Sequence, residues 1–153
     1  IFKSIKLYRI RLGELMRDEI IWNEKLRTNL EDYQEWLSNR FNGDMNMENY
    51  GAVWQVDHVL PLDLFYKKSE YEWCWSLLED EKATPEELLF CWYNTQPLTK
   101  EQNRNKGNTI TLASTINHLT NLKKFMRDNE RTKTRTYNAY IRVLQAVVDV
   151  FYK

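Results

Sequence analysis

Glycine and proline are scarce, and this restricts the fold of the chain more than any other feature of its sequence. The 153 residues include four glycines and three prolines, too few for the many tight turns of an all-β protein. Apolar residues recur instead at helical spacing in several segments. A hydrophobic content of 42% is enough for the core of one domain. The sequence therefore predicts a single domain over residues 1–153 in which helices predominate.

Both ends of the chain carry helical patterns. Residues 1–22 have apolar side chains on one helical stripe, and a second helix is expected over residues 30–41. Thr28 and Glu31 have the spacing of a capping box at the start of that second helix. Gly43 is expected to end it. Two more amphipathic helices are predicted near the carboxyl end, over residues 109–126 and 136–152.

The middle of the chain predicts two short strands followed by a helix. Residues 53–59 are typical of a strand that Pro61 stops, and residues 94–98 predict a second one. A helix over residues 99–106 follows, with Gly107 at its end. We therefore predict an α+β fold in three parts: amino-terminal helices at 1–50, a core at 51–108 with a helical insertion at 62–93, and carboxyl-terminal helices at 109–153.

The cysteines and the amino end of the chain bear on the compartment. Cys74 and Cys91 are separated by sixteen residues, and no CxxC pair is present. This excludes a zinc ribbon and favours two buried, reduced thiols in an intracellular protein, while a single disulfide stays open. The first twenty residues do not resemble a signal peptide. Because the sequence begins at Ile1 rather than Met, a fragment or a processed form is expected. No apolar stretch is long enough to span a membrane.

The charges cancel overall but are unevenly distributed. The formal net charge is zero, yet residues 123–135 contain six bases and two acids, whereas residues 70–87 contain seven acids and one lysine. Zero net charge argues mildly against a nucleic-acid partner. Opposed blocks of charge can nevertheless leave one face basic, or can be no more than a solvated surface.

An aspartate stands beside a histidine in the string Val56–Pro61. The carboxylate of Asp57 is a hard oxygen ligand suited to Mg²⁺, and the imidazole of His58 can take a proton from water near pH 7. Neighbouring strand residues ordinarily face opposite sides, but an irregular strand end before Pro61 can bring both to one site. The pair supplies a metal ligand and a general base, and a structural histidine is the alternative.

A second polar group lies between Asn94 and Gly107. Asn94 and Asn103 are separated by eight residues, and Lys106 follows three positions later, so that Asn103 and Lys106 would share a helix face. An amide oxygen can complete the shell of a Mg²⁺ ion, and a lysine can hold a phosphate oxygen. A polar helix start without a ligand is the alternative.

Taken in this order, the two strings resemble the HNH (ββα-metal) endonuclease family, in particular HNH proteins of phages and large DNA viruses. The family pattern is an Asp-His or His-His pair, two apolar residues and Pro, then Asn-x-Gln-x-Leu, and finally an Asn or His followed by a lysine. Residues 41–51, Trp54 and the run Cys91-Trp92-Tyr93 also agree with the family. The resemblance covers residues 30–108.

The resemblance implies a metal-dependent endonuclease that hydrolyses DNA phosphodiester bonds. It makes Asp57 and Asn103 ligands of one divalent ion, Mg²⁺ in the first place and Mn²⁺ as an alternative. It makes His58 the general base and Asn94 the asparagine that pins the loop and orients the base. Asn105 ranks behind Asn103 as a ligand. The residues expected to contact nucleic acid are Arg104, Lys106, Lys124, Arg127 and Arg131.

The chain also departs from the family pattern. Many relatives hold a structural zinc with two CxxC pairs, whereas Thr99 and Gln102 stand where one such pair would be. We therefore expect no structural zinc and a fold held by packing, with Trp73 and Trp75 of the insertion in the core. Two further interpretations concern single residues: Asp63 is taken as a helix cap rather than an auxiliary ligand, and His118 as structural. The other bases of residues 123–135 either follow phosphates or form a solvated helix face.

The implied partner is double-stranded DNA. One site per chain cuts one strand, so a double-strand break would need two chains, as in a homodimer, or two events. No membrane partner is expected, and a viral protein of this kind would act in the host cytoplasm or nucleus. The alternative is a catalytically silent nucleic-acid-binding or structural protein that retains the HNH core. Neutral charge and the terminal helices favour it, whereas the intact Asp57, His58 and Asn103 argue against it.

Overall fold

The computed structural model describes residues 26–152, except 68, 80, 81 and 108. The helix predicted over residues 1–22 lies outside this part of the chain. In chain order the elements are α1 (Leu30–Asn39), β1 (Trp54–His58), α2 (Asp63–Tyr66), α3 (Glu72–Trp75), α4 (Pro85–Leu89), β2 (Thr95–Thr99), α5 (Lys100–Lys106), α6 (Leu112–Asp128) and α7 (Arg135–Phe151). Single 3₁₀ turns lie at Met47–Asn49, Ser76–Leu78 and Trp92–Asn94.

Strands β1 and β2 pair in a two-stranded sheet. The amide of Val59 donates to the carbonyl of Asn94 at 2.9 Å. Because Val59 directly follows β1 and Asn94 directly precedes β2, the two strands run antiparallel. Both strands lie within one residue of their predicted bounds. The predicted α+β class is confirmed, with the order strand, insertion, strand, helix in the middle of the chain.

The residues that the structure describes form two compact units, and one of the points at which the chain passes from one to the other lies between Asp57 and His58. The sheet unit comprises residues 26–57 and 95–107. The helical unit comprises residues 58–94 and 109–152.

In the sheet unit, α1 holds the beginning of β2. The hydroxyl of Tyr33 donates to Thr95 Oγ1 (3.0 Å) and the indole N–H of Trp36 donates to the Thr95 carbonyl (3.0 Å). All three residues are buried. These bonds satisfy a backbone acceptor and two ring donors away from water, which fixes where β2 begins.

Helix α1 begins at the predicted residue but has a different N-cap, and it ends earlier than the sequence predicts. Its N-cap is Asn29, whose side chain accepts from the Asp32 amide (2.8 Å), so the capping box predicted for Thr28 and Glu31 is wrong. The helix ends at Asn39, well before Gly43. Asparagine accepts from the free amides of a first turn at least as well as threonine does, which accounts for the shift by one residue.

A capping box opens α5 directly after β2. The Thr99 hydroxyl accepts from the Gln102 amide (3.1 Å), and the Gln102 side chain accepts from the Thr99 amide (3.0 Å). Gly107 ends the helix with a φ of 51°, a conformation that glycine adopts at low cost. These bounds confirm the predicted helix. Thr99 and Gln102 thus form a hydrogen-bonded helix start.

The helical unit is built around α7. Seven of its side chains form a buried stripe: Tyr137, Ala139, Tyr140, Val143, Leu144, Val147 and Val148. Helix α7 packs against α3, α4 and α6. Both predicted carboxyl-terminal helices are therefore confirmed, as α6 and α7, with bounds shifted by a few residues. In the part of the chain that is described, no helix combines the length and the apolar character needed to cross a lipid bilayer.

Within the insertion, the sequence indicates a helix over residues 69–78, where the structure has only the short helix α3 followed by the 3₁₀ turn Ser76–Leu78. Trp73 is 44% exposed, so its predicted place in the core is wrong. Trp75 is half-buried, and its indole N–H donates to the Leu64 carbonyl (3.0 Å). Cys74 and Cys91 are both buried as free thiols, and burial raises the pKa of Cys74 to about 12.

Candidate functional site

Asp57 lies near the end of β1, and two side chains of the sheet unit hold its carboxylate. Gln96 Nε2 donates to Oδ2 (3.1 Å), and the Lys106 ammonium lies 3.2 Å from the same oxygen and 3.5 Å from Oδ1. The side chains of Asp57 and Lys106 are 9% and 12% exposed. Because so little water reaches the carboxylate, removing either partner would leave the other charge buried and uncompensated.

Gln96 also connects Asp57 with a half-buried arginine. The Arg40 guanidinium, directly after α1, donates to Gln96 Oε1 (3.4 Å), which orients the amide so that its nitrogen faces Asp57. Burial lowers the pKa of Arg40, but a guanidinium stays charged at neutral pH. The linked group therefore holds two cations and one carboxylate. This excess of positive charge suits an incoming anion such as a phosphate.

One face of α5 is less exposed to solvent than the other. Asn103 and Lys106 are both half-buried, whereas Arg104 and Asn105 between them are exposed. This is the pattern expected of residues three apart on a helix. Asn103 therefore shares its face with the residue that contacts Asp57, and Asn105 does not.

Asn94 is fully buried, and every polar atom of its side chain is used within the helical unit. Its Oδ1 accepts from the Leu60 amide (2.9 Å) and from the Tyr140 hydroxyl (2.6 Å). Its Nδ2 donates to the carbonyls of Leu60 (3.1 Å) and Leu89 (2.9 Å). Together with the backbone bond to Val59, these contacts clamp the two residues that follow His58.

His58, the last residue of β1, is half-buried in the helical unit. Its ring packs edge-on against Phe90, with the ring centroids 6.3 Å apart. Phe90 directly follows Leu89, whose carbonyl is held by Asn94. Asn94 thus fixes the backbone directly after His58. It also fixes Leu89, the residue before Phe90, whose ring packs on the imidazole.

His118 is buried beside Tyr140, whose hydroxyl donates to Asn94. Its Nε2 atom lies 2.8 Å from the Tyr93 carbonyl and 3.2 Å from the Tyr140 hydroxyl. With no exposed surface, it cannot meet a substrate directly, as expected of a structural histidine.

Asp63 does not act as the predicted helix cap. It is the first residue of α2 itself, which has no side-chain cap, and its carboxylate lies 4.0 Å from Lys67 Nζ. A carboxylate in the first turn still interacts favourably with the positive end of the helix.

The basic residues near the end of α6 lie on its solvent side. Lys124 and Arg127 are exposed, and Arg127 also pairs with the exposed Asp128 (3.3 Å). Arg131 lies just beyond the helix, with its guanidinium 5.7 Å from the centre of the Phe125 ring. The exposed Lys124 and Arg127 side chains can meet a polyanion, although a solvated helix would present them in the same way.

The sequence pattern missed four residues that complete the two groups: Arg40, Phe90, Gln96 and Tyr140. Gln96 is the glutamine of the Asn-x-Gln-x-Leu string, so the sequence pattern includes this residue but does not indicate that it binds Asp57. Tyr140 had no signal beyond its place on an apolar helical stripe, which predicts burial but no partner for its hydroxyl.

The chain is similar to two uncharacterized proteins of Acanthamoeba polyphaga mimivirus. It is 27% identical to protein L426 over 112 residues, which are 71% of this chain and 44% of that protein. It is 26% identical to protein L246 over 106 residues, 69% of this chain and 41% of that protein. The chain thus spans less than half the length of these relatives. It matches no family profile and no solved structure.

Proposed function

We propose that this chain is a metal-dependent endonuclease of the HNH class that hydrolyses DNA phosphodiester bonds. The observation that carries the proposal is the clamp that Asn94 forms on the residues after His58 and on Leu89. An asparagine in this role is what the HNH resemblance expects. A buried amide that meets four partners holds the neighbouring chain in one conformation.

His58 acts as the general base in this proposal. Its imidazole accepts a proton from a water molecule, and the oxygen of that water attacks phosphorus and displaces the 3′-oxygen of the neighbouring nucleotide. The edge-on contact with Phe90 and the clamped backbone limit the orientations of the ring. A base held in this way loses less entropy when the water is bound.

The donor set suits a small, hard divalent ion. The ligands that the HNH resemblance implies are the Asp57 carboxylate and the Asn103 amide; among the described residues, no three His, Cys, Asp or Glu side chains form a cluster. Mg²⁺ is ordinarily bound by one or two carboxylates together with water and substrate phosphate. Mn²⁺ has the same preference for oxygen. When bound, the ion would stabilise the charge that develops on the phosphate.

Lys106 competes with such an ion for Asp57, since its ammonium already contacts both carboxylate oxygens. In the proposed reaction it moves from the carboxylate to a phosphate oxygen of the substrate. Metal binding and DNA binding would then assist each other, because the phosphate accepts the ammonium that the metal displaces.

Replacing Lys106 by methionine is therefore expected to raise the affinity for Mn²⁺ in the absence of DNA roughly tenfold, because a competing cation close to Asp57 is removed. The affinity is measured by calorimetric titration of the free protein. Lys100→Met, at the exposed start of the same helix, is the matched control and should leave the affinity unchanged. Equal or weaker Mn²⁺ binding by Lys106→Met would show that this ammonium does not compete for the metal ligand.

Double-stranded DNA is the proposed partner. Lys106 and the exposed Arg104 would contact phosphates near the reacting bond, and Lys124, Arg127 and Arg131 would contact phosphates elsewhere on the duplex. A cut through both strands would require a second chain, as in a homodimer, or a second event. Since the relatives are viral proteins, the proposed place of action is the host cytoplasm or nucleus.

A catalytically silent DNA-binding or structural protein is the second candidate. The ion pair between Asp57 and Lys106 favours it, because a carboxylate that is already neutralised does not require a metal.

A plasmid-nicking assay separates the two candidates. Supercoiled plasmid should be converted to the open-circular form with Mg²⁺ or Mn²⁺ and remain intact with EDTA, and Asp57→Asn should remove most of the activity. Plasmid binding without nicking in either metal would instead support the silent protein. Nicking that persists in EDTA would exclude the metal-dependent mechanism.

A further inference from the structure

The donors and acceptors around Asn94 can be assigned in only one consistent way. The Tyr93 carbonyl can only accept, so Nε2 of His118 must carry a proton and donate to it. The same N–H also faces the Tyr140 oxygen, which leaves the single Tyr140 proton for Asn94 Oδ1 at 2.6 Å. The backbone N–H of Leu60 requires the same orientation of the Asn94 side chain, because it donates to Oδ1.

The hydrogen bonds therefore lead from His118 on α6 through Tyr140 on α7 to Asn94. Asn94 in turn holds the backbone that follows His58. Burial, with a smaller contribution from the Cys91 thiol, raises the pKa of Tyr140 well above its ordinary value. The hydroxyl consequently keeps its proton at neutral pH and remains a donor. A phenylalanine at this position would pack nearly as well, so the packing of α7 alone gives no reason for the hydroxyl.

We propose that Tyr140 is a positioning residue of the nuclease site, which holds the Asn94 amide so that Asn94 can hold the backbone after His58. The inference rests on the proposed function. It gives a role in the reaction to α6 and α7, which lie beyond the segment that resembles HNH proteins. Tyr140 has no exposed surface and cannot touch DNA, so its effect must pass through Asn94.

The test compares Tyr140→Phe with the wild-type chain in plasmid nicking and in amide hydrogen exchange. We expect kcat to fall about 10- to 100-fold, as is usual when a group that supports a functional residue is removed, while KM for plasmid stays the same. Exchange of the Leu60 amide should become faster relative to other core amides. A residue that only stabilises the fold would not change kcat in protein that is still folded.

Tyr137→Phe is the matched control. It removes a hydroxyl from the same helix, one turn earlier, and Tyr137 also packs on Tyr93 but does not contact Asn94. This variant should keep wild-type kcat and Leu60 exchange. If Tyr140→Phe unfolds at the assay temperature, His118→Leu is a second variant that disturbs the same hydroxyl, with a smaller fall in kcat expected.

Three results would overturn the inference or its premise, and they can be told apart. Wild-type kcat in folded Tyr140→Phe refutes a positioning role. Slow, unchanged exchange at Leu60 shows that the hydroxyl does not hold the clamp, whether or not the protein cuts DNA. If the wild-type chain nicks no plasmid, the proposed function fails, and with it the catalytic part of this inference. Faster Leu60 exchange in Tyr140→Phe would then support only the clamp itself.

Discussion

Replacing His58 by alanine is expected to abolish DNA cleavage while leaving folding and DNA binding nearly intact. The loss of a positioned general base typically costs about 10²–10⁴ in rate. Because His58 is half-buried and packs edge-on against the Phe90 ring, removing the imidazole leaves no large cavity in the core and should leave the protein folded. The rate is measured as kcat in the plasmid assay, with DNA affinity and thermal unfolding measured on the same preparation.

Two comparisons make this prediction specific to a proton acceptor. Asp57→Ala and Asn103→Ala should change the metal concentration that half-maximal activity requires, whereas residual activity of His58→Ala should keep the wild-type metal dependence. Wild-type activity should rise with pH as the imidazole loses its proton and then level off, since only the neutral ring can accept a proton. A His58→Ala variant that nicks plasmid at the wild-type rate would exclude this mechanism.

The second large effect concerns stability. Asn94→Ala should lower the free energy of unfolding by at least about 3 kcal/mol, because an unsatisfied buried polar group typically costs about 1–3 kcal/mol. The substitution leaves the amide and carbonyl of Leu60, the carbonyl of Leu89 and the hydroxyl of Tyr140 without their partner. Urea denaturation followed by circular dichroism measures the change.

Asn121→Ala serves as the control for this substitution. Asn121 lies half-buried on α6 and its side chain bonds to Asn117 within the same helix, so its removal should cost less than about 1 kcal/mol. A similarly small loss for Asn94→Ala would mean that water or a shifted backbone replaces the clamp. In that case the amide would not be what holds the chain after His58.

Features that depend on near neighbours could be predicted from the sequence. The glycine end of α5 was predicted from the sequence, because a glycine at the end of a helix acts only on the last turn. The apolar stripe of α7 was equally clear, because burial repeats with the period of the helix. The failures were also local. The cap of α1 fell on Asn29 instead of Thr28, since two adjacent residues could both accept the same amide.

Trp73 and Trp75 show why periodicity does not settle burial in short segments. Both belong to the four-residue helix α3, yet Trp73 is 44% exposed and Trp75 is half-buried with a hydrogen bond to Leu64. A helix of one turn has too few residues to define an apolar face. Which side packs inward is decided by its neighbours, among them α7.

The sequence by itself determined the α+β class, the order of strands and helices, and the residue types from which a nuclease site could be built. Only the tertiary structure decided how these residues are partnered. Gln96 and Lys106 meet Asp57 across 39 and 49 residues of sequence, and Tyr140 meets Asn94 across 46. Local spacing carries no information about such partners, because side chains that far apart in sequence meet only after the helices and strands between them have packed.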